Sequence, residues 1–125
     1  MTVVIADDDP DIRMLLRAVL RQSDGSVTVV GEAHDGEEAL ELIEHLNPPP
    51  VPAVVILDHQ MPGLTGLEAA RRMLTTRPDQ PIVLFTAYLT DELQREATQM
   101  GVRACVTKTD VRLLPELVRD IASEP

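Results

Sequence analysis

Four separated pieces of the chain each place a reactive side chain where an apolar run ends. Asp7 and Asp8 follow VVIA, Asp58 follows AVVIL, Thr86 follows IVLF, and Lys108 follows ACVT. In a parallel sheet the carboxyl ends of the strands share one edge, so these groups converge there if the four runs are strands of one such sheet. The product is an acidic pocket with one hydroxyl and one amine. Carboxylates about 4 Å apart repel by roughly 4 kcal/mol at an effective dielectric near ~20, so the cluster calls for a cation. An oxygen-only donor set with few protein ligands suits Mg²⁺, with Mn²⁺ able to substitute. An ionised Asp58 beside that cation and Lys108 can attack a phosphoryl group in line and form an acyl phosphate. Lys108 is a mobile point charge for the transferring oxygens. Thr86 offers a hydroxyl donor, and the backbone N–H of Ala87 is a further candidate. Plainer roles compete: paired acids cap helices, a lysine bridges acids, and threonine is an ordinary strand residue. Three carboxylates together with Lys108 favour the phosphoryl site.

The elements that must carry these groups alternate regularly. Residues 2–6 read as a strand buried on both faces. Asp9 can cap a helix opening at Pro10, with Ile12, Leu15, Leu16, Val19 and Leu20 at helical spacing and Arg13, Arg17 and Arg21 on another face. Residues 27–33 form a second strand nearer an edge. Asp35 to Glu38 then has capping-box spacing before Ala39, Leu40, Ile43 and Leu46, with the helix closing at Asn47. The prolines at 48–50 and 52 force a stiff extended connection into a third strand at 53–57. Thr65 and Glu68 make another capping box for a helix to about residue 76. A fourth strand spans 81–86, and a fourth helix runs from Thr90 to Gly101 with a thin stripe of Leu93, Ala97 and Met100. The last strand, about 103–107, lies at the other edge. Pro115 is tolerated only in a first turn, so the last helix begins near 112–115 after a looser turn. This pattern predicts one α/β domain over residues 1–125, a five-stranded parallel sheet with helices on both faces.

Composition narrows the function classes. The chain has 125 residues, 44% hydrophobic and 26% charged, which suits one domain with one core. No run reaches the roughly 20 apolar residues of a membrane span and no signal peptide precedes the first strand, so a cytoplasmic protein is expected. A net charge of −10 argues against nucleic-acid binding by this domain. The single cysteine, Cys105, excludes an internal disulfide and reads as a buried strand residue. His59 reads as a solvent-facing loop residue, and His34 and His45 as surface residues without acidic partners at ligand spacing.

ADDDPDIR after the first strand, LDHQMPGLTGLE after the third, FTA after the fourth and VTK after the fifth resemble the receiver domain of two-component response regulators. The resemblance covers essentially the whole chain. It implies the flavodoxin-like strand order 2-1-3-4-5, an order for which a member of this family is a standard example. It further implies that Asp8 and Asp58 ligate the metal directly, that Asp7 acts through water, and that the backbone carbonyl of Gln60 completes the protein ligands. Its implied partners are a sensor histidine kinase or phosphotransfer protein and an output protein or domain. A second copy joined through the face between the fourth and fifth helices is a further expectation. Two positions depart from the common pattern. Cys105 stands where many receivers have a Tyr or Phe switch, and Thr109-Asp110 replaces a Pro after the lysine. The signal is then expected to leave through Thr86, the loop Ala87-Tyr88-Leu89 and the weakly anchored fourth helix, with Tyr88 covering the site or reporting the loop's motion.

The resulting reading is a phosphorylation-controlled signalling switch, not an enzyme, with chemistry only on itself. It is either a stand-alone regulator or the receiver of a helix-turn-helix transcription regulator. A Mg²⁺-dependent phosphohydrolase with an Asp nucleophile is the reading from another class, but Asp58 is followed by His59 and Gln60, not by the second acid that such chemistry uses to activate water. A docking module without phosphorylation fits less well, because every group needed for phosphorylation is present.

Overall fold

A computed structural model describes residues 1–22, 25–45 and 52–124. Among these, five parallel strands form one sheet in the order β2-β1-β3-β4-β5. The strands are β1 (Thr2–Ala6), β2 (Thr28–Ala33), β3 (Val54–Leu57), β4 (Ile82–Thr86) and β5 (Ala104–Thr107). The helices are α1 (Pro10–Arg21), α2 (Gly36–His45), α3 (Gly66–Thr76), α4 (Asp91–Met100) and α5 (Leu114–Ala122). A 3₁₀ turn over Lys108–Leu113 precedes α5, and Pro115 falls in that helix's first turn. The flavodoxin-like α/β architecture is therefore the expected one. The end of the second helix at Leu46–Asn47 and the prolines at 48–50 lie outside the described residues.

Strands β1, β3 and β4 are apolar and buried almost throughout because helices cover both faces of the sheet. Alternate residues feed two cores. Val3, Ile5, Val54, Ile56, Val83 and Phe85 meet α1 and α5, whereas Val4, Val55, Leu57, Ile82 and Leu84 meet α2, α3 and α4. Edge strand β2 carries one irregularity: Val3 pairs with Val29 but Val4 with Gly31, so Val30 is the extra residue and is exposed. On α1 only Leu16 and Leu20 are fully buried. Leu15 is 41% exposed, contrary to its place in the expected stripe, because Leu16, Leu20 and the partly buried Ile12 set the face turned to the sheet.

Local signals fix the helix starts that flank the carboxyl edge. Asp9 caps α1 by accepting from the Asp11 N–H, with Pro10 in the first turn. Thr65 and Glu68 form the full reciprocal box at α3. At α2 the box is modified: Asp35 accepts from the Glu38 N–H at 2.7 Å, but the Glu38 carboxylate takes the N–H of His34, one residue earlier than a reciprocal box requires. Thr90 caps α4, and Gly101 ends it at φ 111°. Helix α4 buries only Leu93 and Ala97, as its thin stripe predicts.

Gly66 holds the third helix against the third strand's exit. A Cβ there would lie 2.1 Å from the Asp58 carbonyl oxygen and 2.8 Å from the His59 Cα, both backbone atoms that cannot swing away. Gly66→Ala is expected to destabilise the fold by about 2–3 kcal/mol, the upper range for overpacking a rigid site. Chemical denaturation measures this, and an unchanged midpoint would mean that the Asp58 loop is free to shift.

Candidate functional site

Register brings the chemical groups together. Ala6 pairs with both Ala33 and Leu57, so Asp7 and Asp58 occupy the next rung on adjacent strands. The ladder continues through them: the Asp7 N–H donates to Ala33 and the Asp58 N–H to Ala6, at 3.1 and 2.9 Å. Strand β4 ends at Thr86, which pairs with Thr107, and Lys108 follows immediately. All five side chains named from sequence thus meet at the carboxyl edge, where the strand order changes direction between β1 and β3.

The geometry is that of a buried, electrically frustrated pocket. The side chains of Asp7 and Asp58 are 1% and 3% exposed, and that of Lys108 is 20% exposed. Lys108 Nζ stands 2.8 Å from Asp7 Oδ2 and 3.1 Å from Asp58 Oδ2. Only the Asp58 contact has the angles of a hydrogen bond; the Asp7 oxygen is held by charge and proximity alone. The other oxygens are tied to backbone, Asp7 Oδ1 accepting from the Asp9 N–H and Asp58 Oδ1 from the Gln60 N–H. Thr86 Oγ is buried without a partner, so a donor is held ready at the end of β4. Ala87, the next residue, is exposed, as is Asp8 after β1.

Burial pushes the Asp58 carboxyl above its ordinary value, and the Asp7 charge adds to this, while the Lys108 hydrogen bond opposes it. Burial would lower Lys108, but the close Asp7 and Asp58 carboxylates more than offset that and raise it. Carboxylate oxygens of Asp7, Asp8 and Asp58 lie within 4.8 Å of one another. Lys108 supplies one positive charge for three acids, and the exposed Asp8 gives the cluster an open side. That donor set fits a hard divalent cation.

A family profile described as the response regulator receiver domain matches residues 3–119. The chain belongs to the response regulator receiver family. It is 38% identical over 110 residues to a protein-glutamate methylesterase/protein-glutamine glutaminase of Myxococcus xanthus, covering 86% of this chain and 30% of that protein. It is 37% identical over 106 residues to the response regulator GacA of Pseudomonas syringae, covering 85% and 47%. The solved receiver domain of the NarL response regulator from Mycobacterium tuberculosis is 34% identical with a TM-score of 0.84, covering 99% of this chain and 97% of that one. The chain spans less than half the length of the curated relatives it matches. The expectation that the protein is not an enzyme is overturned by the methylesterase/glutaminase: this receiver type also occurs as part of an enzyme. The physical reason is that phosphoacceptor chemistry is complete within the sheet edge and leaves the attached activity undetermined.

Several receiver side chains have roles that the sequence does not display. Arg13 leaves the solvent face expected for it: its guanidinium donates to the Asp7 carbonyl at 2.6 Å and stands 3.4 Å from Glu32 on β2, which Arg17 also reaches. His59 is half-buried, its Nδ1 accepting from the Leu67 N–H, and lines a cavity of about 410 Å³ between the starts of α3 and α4. His34 does have acidic partners, Glu38 at 2.7 Å and Asp35 at 3.4 Å. Tyr88 is 71% exposed, and Cys105 is half-buried with its thiol pushed up by burial.

The raised Asp58 value fixes a pH dependence. A carboxyl raised above 3.8 binds its proton more tightly in the folded state. Its contribution to stability is complete below pH 3.8 and is lost as pH rises through the raised folded value. Asp58→Asn is therefore expected to raise the thermal midpoint of the metal-free protein at neutral pH, with the gain shrinking as pH falls towards 3.8. A midpoint lowered at neutral pH would mean that the Lys108 contact outweighs the desolvation.

Proposed function

We propose that Asp58 accepts a phosphoryl group from the phosphohistidine of a sensor kinase or phosphotransfer protein, in a cytoplasmic two-component pathway. The supporting observation is the state of its carboxylate: buried, fixed by the Gln60 N–H on one oxygen and by Lys108 on the other. In the transfer an Asp58 oxygen forms the new O–P bond as the N–P bond to the donor histidine breaks, and the freed imidazole keeps the electron pair. Lys108 already faces the attacking oxygen and moves onto a phosphoryl oxygen as charge builds there. Thr86 Oγ and the Ala87 N–H donate to the remaining oxygens.

Asp8 and Asp58 are the direct ligands in this reading, with Asp7 acting through water and the Gln60 carbonyl completing the set, for Mg²⁺ or Mn²⁺. The metal supplies charge neutralisation on the transferring oxygens. Residues 1–125 act as one receiver unit, and no nucleic acid binds to it, in keeping with a net charge of −10. The output is a protein, an attached helix-turn-helix domain or an attached enzyme domain. The signal leaves through Thr86, the loop carrying Tyr88, and α4, which has only two fully buried residues, Leu93 and Ala97. Cys105 has no ring to rotate and serves as packing beside Leu84.

Incubation with Mg²⁺ and acetyl phosphate is expected to add one phosphoryl mass, removable by hydroxylamine and absent in Asp58→Ala. Intact mass spectrometry reads this, and full labelling of Asp58→Ala would move the acceptor elsewhere. Among the metal residues, Asp8→Ala is expected to weaken Mg²⁺ binding at least 10-fold, the size of one lost charged ligand, and more than Asp7→Ala. Calorimetric titration distinguishes the two, and equal negligible effects would make the acidic pair structural.

A further inference from the structure

The turn that presents Lys108 is closed by side chains on both of its flanks. Thr107 Oγ lies 2.9 Å from Thr109 Oγ and 3.1 Å from Asp110 Oδ2. Each hydroxyl has one proton, and a carboxylate accepts only. Thr107 therefore donates to Asp110 and accepts from Thr109, so the direction of the chain is fixed. Thr107 does not use its hydroxyl to cap the 3₁₀ turn that follows, although it occupies the cap position. Asp110 departs from helical geometry at φ −103° and ψ 30°, a bend within hydrogen-bond reach of Thr107.

We propose that Thr107, Thr109 and Asp110 form a hydroxyl–carboxylate clasp that positions Lys108 for phosphoryl transfer. The inference rests on the phosphoacceptor reading of Asp58. Residues on either side of Lys108 are bonded to each other, which restricts the backbone at Lys108 and so aims its Cβ. That aim matters because β3 lies two strand spacings from β5 and β1 three, about 10 and 14 Å. A lysine crossing that gap to reach both Asp7 and Asp58 has little reach to spare. The clasp itself is exposed, so it adds little to global stability, and its effect is confined to the turn.

Thr107→Val keeps the β-branched shape and removes the hydroxyl. It is expected to slow labelling by acetyl phosphate about 5- to 10-fold at saturating Mg²⁺, since small misplacements of a catalytic group carry penalties of this order or more. The Mg²⁺ midpoint and thermal midpoint stay at wild-type values, and Thr107→Ser restores the rate. Asp110→Ala should resemble Thr107→Val. A second readout does not depend on turnover: the Lys108 side-chain amine signal in nitrogen-edited NMR of the metal-free protein, slowly exchanging in wild type, is lost to fast exchange in Thr107→Val. A wild-type protein that takes no label removes the phosphoacceptor reading, while the NMR comparison still decides the clasp. Unchanged exchange at Lys108 in Thr107→Val overturns it, as does a Thr107→Ser variant as impaired as Thr107→Val.

Discussion

The structure depends on one amine reaching two buried acids. Asp7 and Asp58 sit on neighbouring rungs with almost no solvent, and Lys108 is the cation that meets both. At an effective dielectric near ~20, two carboxylates within this distance oppose each other by roughly 3–4 kcal/mol, so the uncompensated pair would open the edge between β1 and β3. Compensation comes from the far side of the sheet, across the end of β4. Lys108 thereby ties β5 to β1 and β3, a paired couple of strands that β5 itself does not touch in the sheet. A structural bridge and a reactive charge are the same atom here. In the proposed transfer a dianionic phosphoryl group at Asp58 competes for that atom, and through it for the position of the turn after β5.

Around this edge the chain is held unequally. On the β1 side, Arg13 grips the Asp7 carbonyl and is itself held by Glu32, and on the β3 side Gly66 lets α3 press against the Asp58 backbone. Both acids therefore rest on backbone that cannot relax far, which suits a site whose ligands must keep their spacing. The β4 end is different. Thr86 is buried, but its hydroxyl has no partner, and the loop beyond it becomes exposed within one residue. Rigid acids and a free hydroxyl leave the β4 exit the least constrained side of the site.

The fold was legible because each level of the sequence agreed with the next. Apolar runs marked β1, β3 and β4, capping residues marked the starts of α1, α3 and α4, and the chemical groups stood just beyond the strand ends. What the sequence hid depends on directions between elements. Arg13 and Arg17 share a helix face that looks solvent-exposed until β2 places Glu32 beside it. His34 gained carboxylate partners because the Glu38 side chain turned back past the cap position. His59 left the solvent because Gly66 draws α3 close enough for the Leu67 N–H to meet the ring. Leu15 obeyed the helical period and still ended outside, since period alone does not say how wide the covered stripe is. Whether the protein is an enzyme was not legible at all, because the sheet edge has the same chemistry whatever is joined to it.

The two helices nearest the β4–β5 end divide the consequences of any change there. Helix α5 buries Leu114, Val118 and Ile121 in the core shared with α1, and the 3₁₀ turn before it leads directly from Lys108. Helix α4 buries Leu93 and Ala97 alone, with Met100 and Leu89 only partly covered. Fewer buried apolar atoms mean a smaller free-energy penalty for displacement, since stabilisation scales roughly with apolar area at about 25 cal/mol per Å². A pull on Thr86 is thus met by a firm element on one side and a loose one on the other. Because Cys105 is small and packs towards the α4 core, no bulky group at that position of β5 resists the loop's approach. In the proposed switch, this imbalance in burial sets the direction of motion, without an aromatic side chain to carry it.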